Sequence, residues 1–107
     1  MKPSTYTSGL GETLRAHRLY LGISKDCMAR RLGMNPRSYE RIERNQRDCP
    51  PGLLDTVEQV AAEFEESVDD LRDSDAELIV TAQTDEWLRA VYGRTAVETG
   101  RALHSEP

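Results

Sequence analysis

Long apolar runs are missing from this 107-residue chain. None approaches the ~20 residues that a bilayer-spanning helix needs, so a helical membrane protein is not expected. The opening MKPSTYTSGLGE has no apolar core between a charge and a cleavage site, and no signal peptide is read there. Cysteine is scarce. Cys27 and Cys49 lack CxxC spacing and have no histidine pair nearby, which argues against zinc and fits a reducing, cytoplasmic setting. A glycine-rich phosphate loop, internal repeats and low-complexity segments are also absent. The two histidines, His17 and His104, are far apart and have no obvious nucleophile partner. His17 reads as a partly buried packing residue, and Cys27 as a small packing residue on an inward-looking helix position. These absences lead to an expectation of no enzyme, no metal and no cofactor.

What is present fits one soluble, polar domain: 37% hydrophobic and 31% charged residues. A domain this short buries a modest fraction of its surface, so support from a second subunit is expected. The net charge of −5 is a sum of opposites. Residues 1–50 carry ten Lys/Arg against five Asp/Glu, and residues 51–107 carry four against fourteen. Such asymmetry suggests different partners for the two halves, phosphate for the basic one and a protein for the acidic one. Charge alone leaves open that both are ordinary solvated faces.

The stretch Ile23–Arg47 organises the rest. Ser24 is an N-cap candidate for a helix to Leu32 whose face is Cys27, Met28 and Leu32. Gly33 can leave that helix with φ > 0. Asn35-Pro36 then starts another, because Asn caps well and Pro is tolerated at the first helical position. Tyr39 and Ile42 make the inner face of Pro36–Arg44. Arg37, Arg41 and Arg44, spaced by four and three, share the outer face. A short helix with an apolar back and an arginine front has the shape that enters a DNA major groove.

Around this unit the chain reads as follows. Residues 1–9 are a flexible arm. A first helix runs from about Leu10 to Leu21 and stops at Gly22. NQRDCPPG, from Asn45 to Gly52, is a loop. Leu53 to Arg72 is one long amphipathic helix, with Leu53, Leu54, Val57, Val60, Ala61, Phe64, Val68 and Leu71 at helical spacing. Its far half exceeds what a small helical unit needs, so it is expected to pack on something else. Leu78–Thr81 reads as a short strand on β-branched content, or alternatively as extended loop or helix. A lone strand needs a partner, and the economical one is the same strand of a second subunit, antiparallel about a twofold axis. Thr84 is the expected cap of a last helix with Trp87, Leu88, Val91, Tyr92 and Val97 on its apolar side, and HSEP should fray.

In LRAHRLYLGIS, MARRLGM and SYERIER, followed by a Pro after a short basic loop, the chain resembles the Cro/C1-type helix-turn-helix repressors over residues 10–64. The resemblance implies a mainly all-α fold: a helix-turn-helix bundle with a long fourth helix. The strand and last helix over residues 65–107 then form a dimerisation extension. In architecture that extension is similar to that of the anti-CRISPR-associated repressors. Carried over residue by residue, Lys25 reaches phosphate or a base at the groove edge. Arg37, Ser38 and Arg41 face bases, Arg44 and Arg47 touch the backbone, and Arg18 and Glu43 tie the first helix to the third. Asn35 joins the DNA-facing set at the helix start. The sequence departs from the family at Pro36, where a base-reading polar side chain is common, and at Asn45, where Gly is usual but Asn tolerates the left-handed conformation. The fourth helix also lacks the usual Gly break.

Arginine donates two hydrogen bonds to guanine O6 and N7, and Arg37 and Arg41 are expected to do this; the bland alternative is phosphate contact alone. Glu40 could accept from a cytosine amino group or pair with Arg37 or Arg44. The expectation is a homodimeric DNA-binding transcriptional regulator on double-stranded DNA, probing a near-palindromic site with helices about 34 Å apart. Its dimer interface is assigned to Phe64, Val68, Leu71, Leu78, Ile79, Val80, Trp87 and Val91. The alternative is a non-catalytic interaction module or antitoxin that holds a protein through its acidic half.

Overall fold

The computed structural model describes residues 9–106, so the arm expected over residues 1–9 falls, but for Gly9, outside the described residues. The chain is mainly helical: α1 (Gly11–Leu21), α2 (Lys25–Arg31), α3 (Pro36–Glu43), α4 (Leu53–Arg72), β1 (Leu78–Val80), α5 (Glu86–Thr99) and β2 (Leu103–Ser105). It divides into two units between Ala61 and Ala62, within the unbroken α4.

In the first unit local chemistry sets the helix ends. Gly22 closes α1 in the left-handed region (φ 75°), donating back to Arg18 and Leu19 carbonyls. The Ser24 hydroxyl caps α2 by accepting from Cys27 N–H at 3.1 Å. Asn35 Oδ1 caps α3, accepting from Arg37 N–H at 2.9 Å, with Pro36 at the position where no donor is needed. The core is Leu14, Leu21, Ile23, Cys27, Met28, Ala29, Tyr39, Ile42, Cys49, Leu53, Val57 and Val60. Burial of apolar area on this scale is the main stabilising contribution. Leu32, expected on the inner face of α2, is only half-buried, and Ala29 takes that place.

The second unit corrects the expected role of the strand. β1 pairs parallel with β2 of the same chain, Leu78 opposite Leu103 and Val80 opposite Ser105, and Glu106 N–H extends the ladder to Val80 O at 2.8 Å. The tail HSEP, expected to fray, supplies that partner through His104, Ser105 and Glu106. The twofold antiparallel pairing expected for Leu78–Thr81 therefore loses its premise. Phe64, Val68, Leu78, Val80, Trp87 and Val91, assigned to a dimer interface, are buried in this unit's own core, while Leu71 and Ile79 are half-buried. The far half of α4 has its partner here too. The Phe64 and Trp87 rings meet edge to face at 5.3 Å, and Arg94 of α5 bonds Glu65 at 3.0 Å.

Two further differences lie in α5. Its cap is Asp85, which accepts from Leu88 N–H at 2.8 Å, and not Thr84. Thr84 Oγ1 instead accepts from Thr81 N–H at 2.9 Å, closing the turn after β1. The apolar side is narrower than expected: Val97 is 83% exposed and Leu88 40%, while Thr95 is fully buried with its hydroxyl donating to Val91 O at 2.8 Å. Arg101 closes the end of α4 by donating to Leu71 O at 2.8 Å and Arg72 O at 2.7 Å. No helix is long and apolar enough to cross a membrane, among the described residues.

Candidate nucleic-acid interface

Position along α3 decides which side chains face outward. At about 100° per residue, Arg37, Arg41 and Arg44 fall within about 60° of one another, and Tyr39, Ile42 and Glu43 lie on the other side. Tyr39, Ile42 and Glu43 are accordingly buried, and the three arginines are exposed. Among the described residues Arg37 and Arg41 carry no ion pair. The four arginines of residues 51–107 are each engaged by their own chain: Arg72 with Glu98, Arg94 with Glu65, Arg89 with the Thr81 and Thr84 carbonyls, and Arg101 with the end of α4.

The helix is held from behind by a buried ion pair. Arg18 Nε donates to Glu43 Oε2 at 3.0 Å, Nη2 to Oε1 at 2.7 Å, and Nη1 to Ile23 O at 3.2 Å. Burial by itself would raise the Glu43 carboxyl, but hydrogen bonding to Arg18, with the charges of Arg18 and Lys25, holds it below the usual carboxylate range. The hydrogen bond to Glu43 raises Arg18 in turn. The Tyr39 hydroxyl sits beside this pair, fully buried and without a hydrogen bond of sound geometry, and burial pushes its phenol well above the usual value.

A second tie reaches α1 at its start. Asn45, at φ 60°, follows the end of α3 and turns its Oδ1 to accept from Gly11 N–H at 3.0 Å. A Cβ on Gly11 would run into the Glu43 carbonyl oxygen and Asn45 Oδ1. Glycine at position 11 thus permits close approach of the two helices. This contact was not legible in the sequence, where Asn45 suggested only tolerance of the left-handed conformation.

The remaining expected residues divide by role. Asn35 spends its side-chain oxygen on the cap. Ser38 is half-buried, and Arg47 is exposed in the loop after α3. Lys25, first residue of α2, is half-buried and its Nζ lies 3.5 Å from Glu40 Oε1. Arg44 Nη2 reaches the same oxygen at 3.0 Å. The Arg44 pairing could be read from i,i+4 spacing; the Lys25 pairing joins two helices and leaves no local signal. Both cysteines are free and buried, and burial pushes the Cys49 thiol up, away from reactivity. Among the described residues no three His, Cys, Asp or Glu are grouped to hold a metal. No protein-family model, curated protein or solved structure matches the chain.

Proposed function

We propose that the chain is a sequence-specific DNA-binding transcriptional regulator, most simply a repressor, that places α3 in the major groove of double-stranded DNA. The observation that carries this reading is the outward row on α3. Arg37 and Arg41 are exposed and unpaired on a helix whose back is locked by Tyr39, Ile42 and the Arg18–Glu43 pair. The planar guanidinium fork loses less freedom per hydrogen bond than a flexible ammonium, and two such groups one turn apart address neighbouring base pairs. Arg47 lies in the loop beyond, where phosphate contact adds affinity without sequence information.

Selection of bound duplex from a random pool tests the reading. Enrichment of a guanine-containing motif is expected, along with its loss when Arg37 and Arg41 are both changed to Ala. No enrichment at low salt from a folded sample would overturn it. Spacing of recovered half-sites also counts the copies bound. That count matters because the strand and the long helix, which suggested a dimer from sequence, both find partners within one chain.

A further inference from the structure

We propose that Glu40 limits the sequence-independent affinity of the α3 face for DNA, an inference that rests on the DNA-binding reading above. One carboxylate oxygen, Oε1, holds Arg44 at 3.0 Å and Lys25 at 3.5 Å. Glu40 lies on the same flank of α3 as Arg37 and Arg44, about 60° from each of Arg37 and the Arg44 direction or less. Its side chain is 39% exposed, and those of Lys25 and Arg44 are 38% and 59% exposed, so all three reach solvent on the side that would meet DNA. The geometry therefore puts a negative charge among the cations of the interface and couples it to two of them. Arg37 and Arg41 lie outside this cluster.

Phosphate attracts every cation equally, whatever the sequence, and each neutralised phosphate steepens the salt dependence of binding. Glu40 opposes that uniform term twice. It shares Lys25 and Arg44 with the phosphates, and it repels phosphate itself. It leaves base-edge bonds from Arg37 and Arg41 untouched. The net effect is weaker binding to all DNA and a shallower salt dependence, with the discrimination supplied by Arg37 and Arg41 unchanged. A face of arginine and lysine alone would bind every duplex more tightly and respond more steeply to salt.

The test compares wild type with Glu40→Gln, which keeps size and hydrogen bonding but removes the charge. Glu12→Gln on α1 serves as the matched control, an exposed carboxylate with no ion pair among the described residues. Binding to a random-sequence duplex and to the selected site is measured across a salt series. Glu40→Gln is expected to tighten random-duplex binding by about threefold to tenfold at low salt, and to steepen the log–log salt slope by about one to two. Binding to the selected site should tighten by a similar factor, leaving the specificity ratio near its wild-type value. Adding Lys25→Gln should return the slope toward wild type. Equal effects of Glu40→Gln and Glu12→Gln would overturn the inference and leave the DNA-binding reading standing. Folded wild type that binds no duplex at low salt would remove that reading, and the inference with it.

Discussion

Arg18 and Glu43, 25 positions apart in the chain, meet through two parallel hydrogen bonds in a buried setting. Such a pair is weak evidence for stability as a whole, yet breaking it from one side strands a buried charge. Arg18→Met and Glu43→Leu should each destabilise the first unit by about 3–5 kcal/mol. Their combination should cost much less than the sum. The arginine change should be the worse single, since Nη1 also serves the Ile23 carbonyl. Urea unfolding followed by circular dichroism, arranged as a double-mutant cycle, measures the coupling. Additive losses would mean that the two groups do not act as a unit.

The same pair makes acid stability predictable in sign. Arg18 holds Glu43 below its ordinary value near 4.5, so the folded state binds its proton less readily than the unfolded chain does. Its stabilising contribution is complete above the unfolded value and disappears as pH falls through the lower folded one. From a single group the slope cannot exceed about 1.4 kcal/mol per pH unit. Unfolding free energies taken between pH 7 and the acid limit should therefore fall below pH ~4.5 in wild type. They should fall less steeply in Glu43→Gln. Parallel curves for the two proteins would contradict the assignment.

Much of the fold was legible because its signals are local. Gly22, Asn35-Pro36 and the uninterrupted apolar spacing from Leu53 to Arg72 mark helix boundaries through backbone conformation and capping, which neighbouring residues decide. The Thr84 and Asp85 caps differ by one position because both side chains can accept. A competing local demand, the donor at Thr81 N–H three residues earlier, decided between them. β2 carried no signal at all. Leu103, His104 and Ser105 are exposed, do not alternate, and become a strand only because β1 lies beside them. At the candidate interface the exposed row of arginines followed from spacing. Glu40's second cation and the Asn45–Gly11 bond join separate helices, and periodicity is blind to such pairings.

Asn45 and Gly11 offer a test of that non-local tie. Asn45→Gly keeps the left-handed backbone and deletes only the side-chain acceptor, so it should cost about 1 kcal/mol, the net worth of one hydrogen bond. Asn45→Ala loses the acceptor and also strains φ 60°, and should cost more. Gly11→Ala forces a methyl against the Glu43 carbonyl and should separate the start of α1 from the end of α3. Amide exchange at Gly11 and the neighbouring first-turn residues would reveal that opening without global unfolding. Similar costs for Asn45→Gly and Asn45→Ala would show that backbone strain is not being relieved there.

β2 covers one edge of β1. Leu78 and Val80 are buried, while Leu103 to Ser105 are exposed, so β2 supplies backbone hydrogen bonds to β1 more than apolar burial. Truncation after Arg101 keeps the guanidinium that closes α4 and removes only the pairing strand. The helical core around Phe64 and Trp87 should persist, with thermal unfolding lowered modestly. The freed edge of β1 then becomes a template for another chain, and exposed edges of β-branched residues associate. Light scattering should report a larger species for the truncated chain than for the full one at equal concentration, and amide exchange at Val80 should accelerate at low concentration. A truncated chain that shows neither change would mean that β2 does not protect this edge.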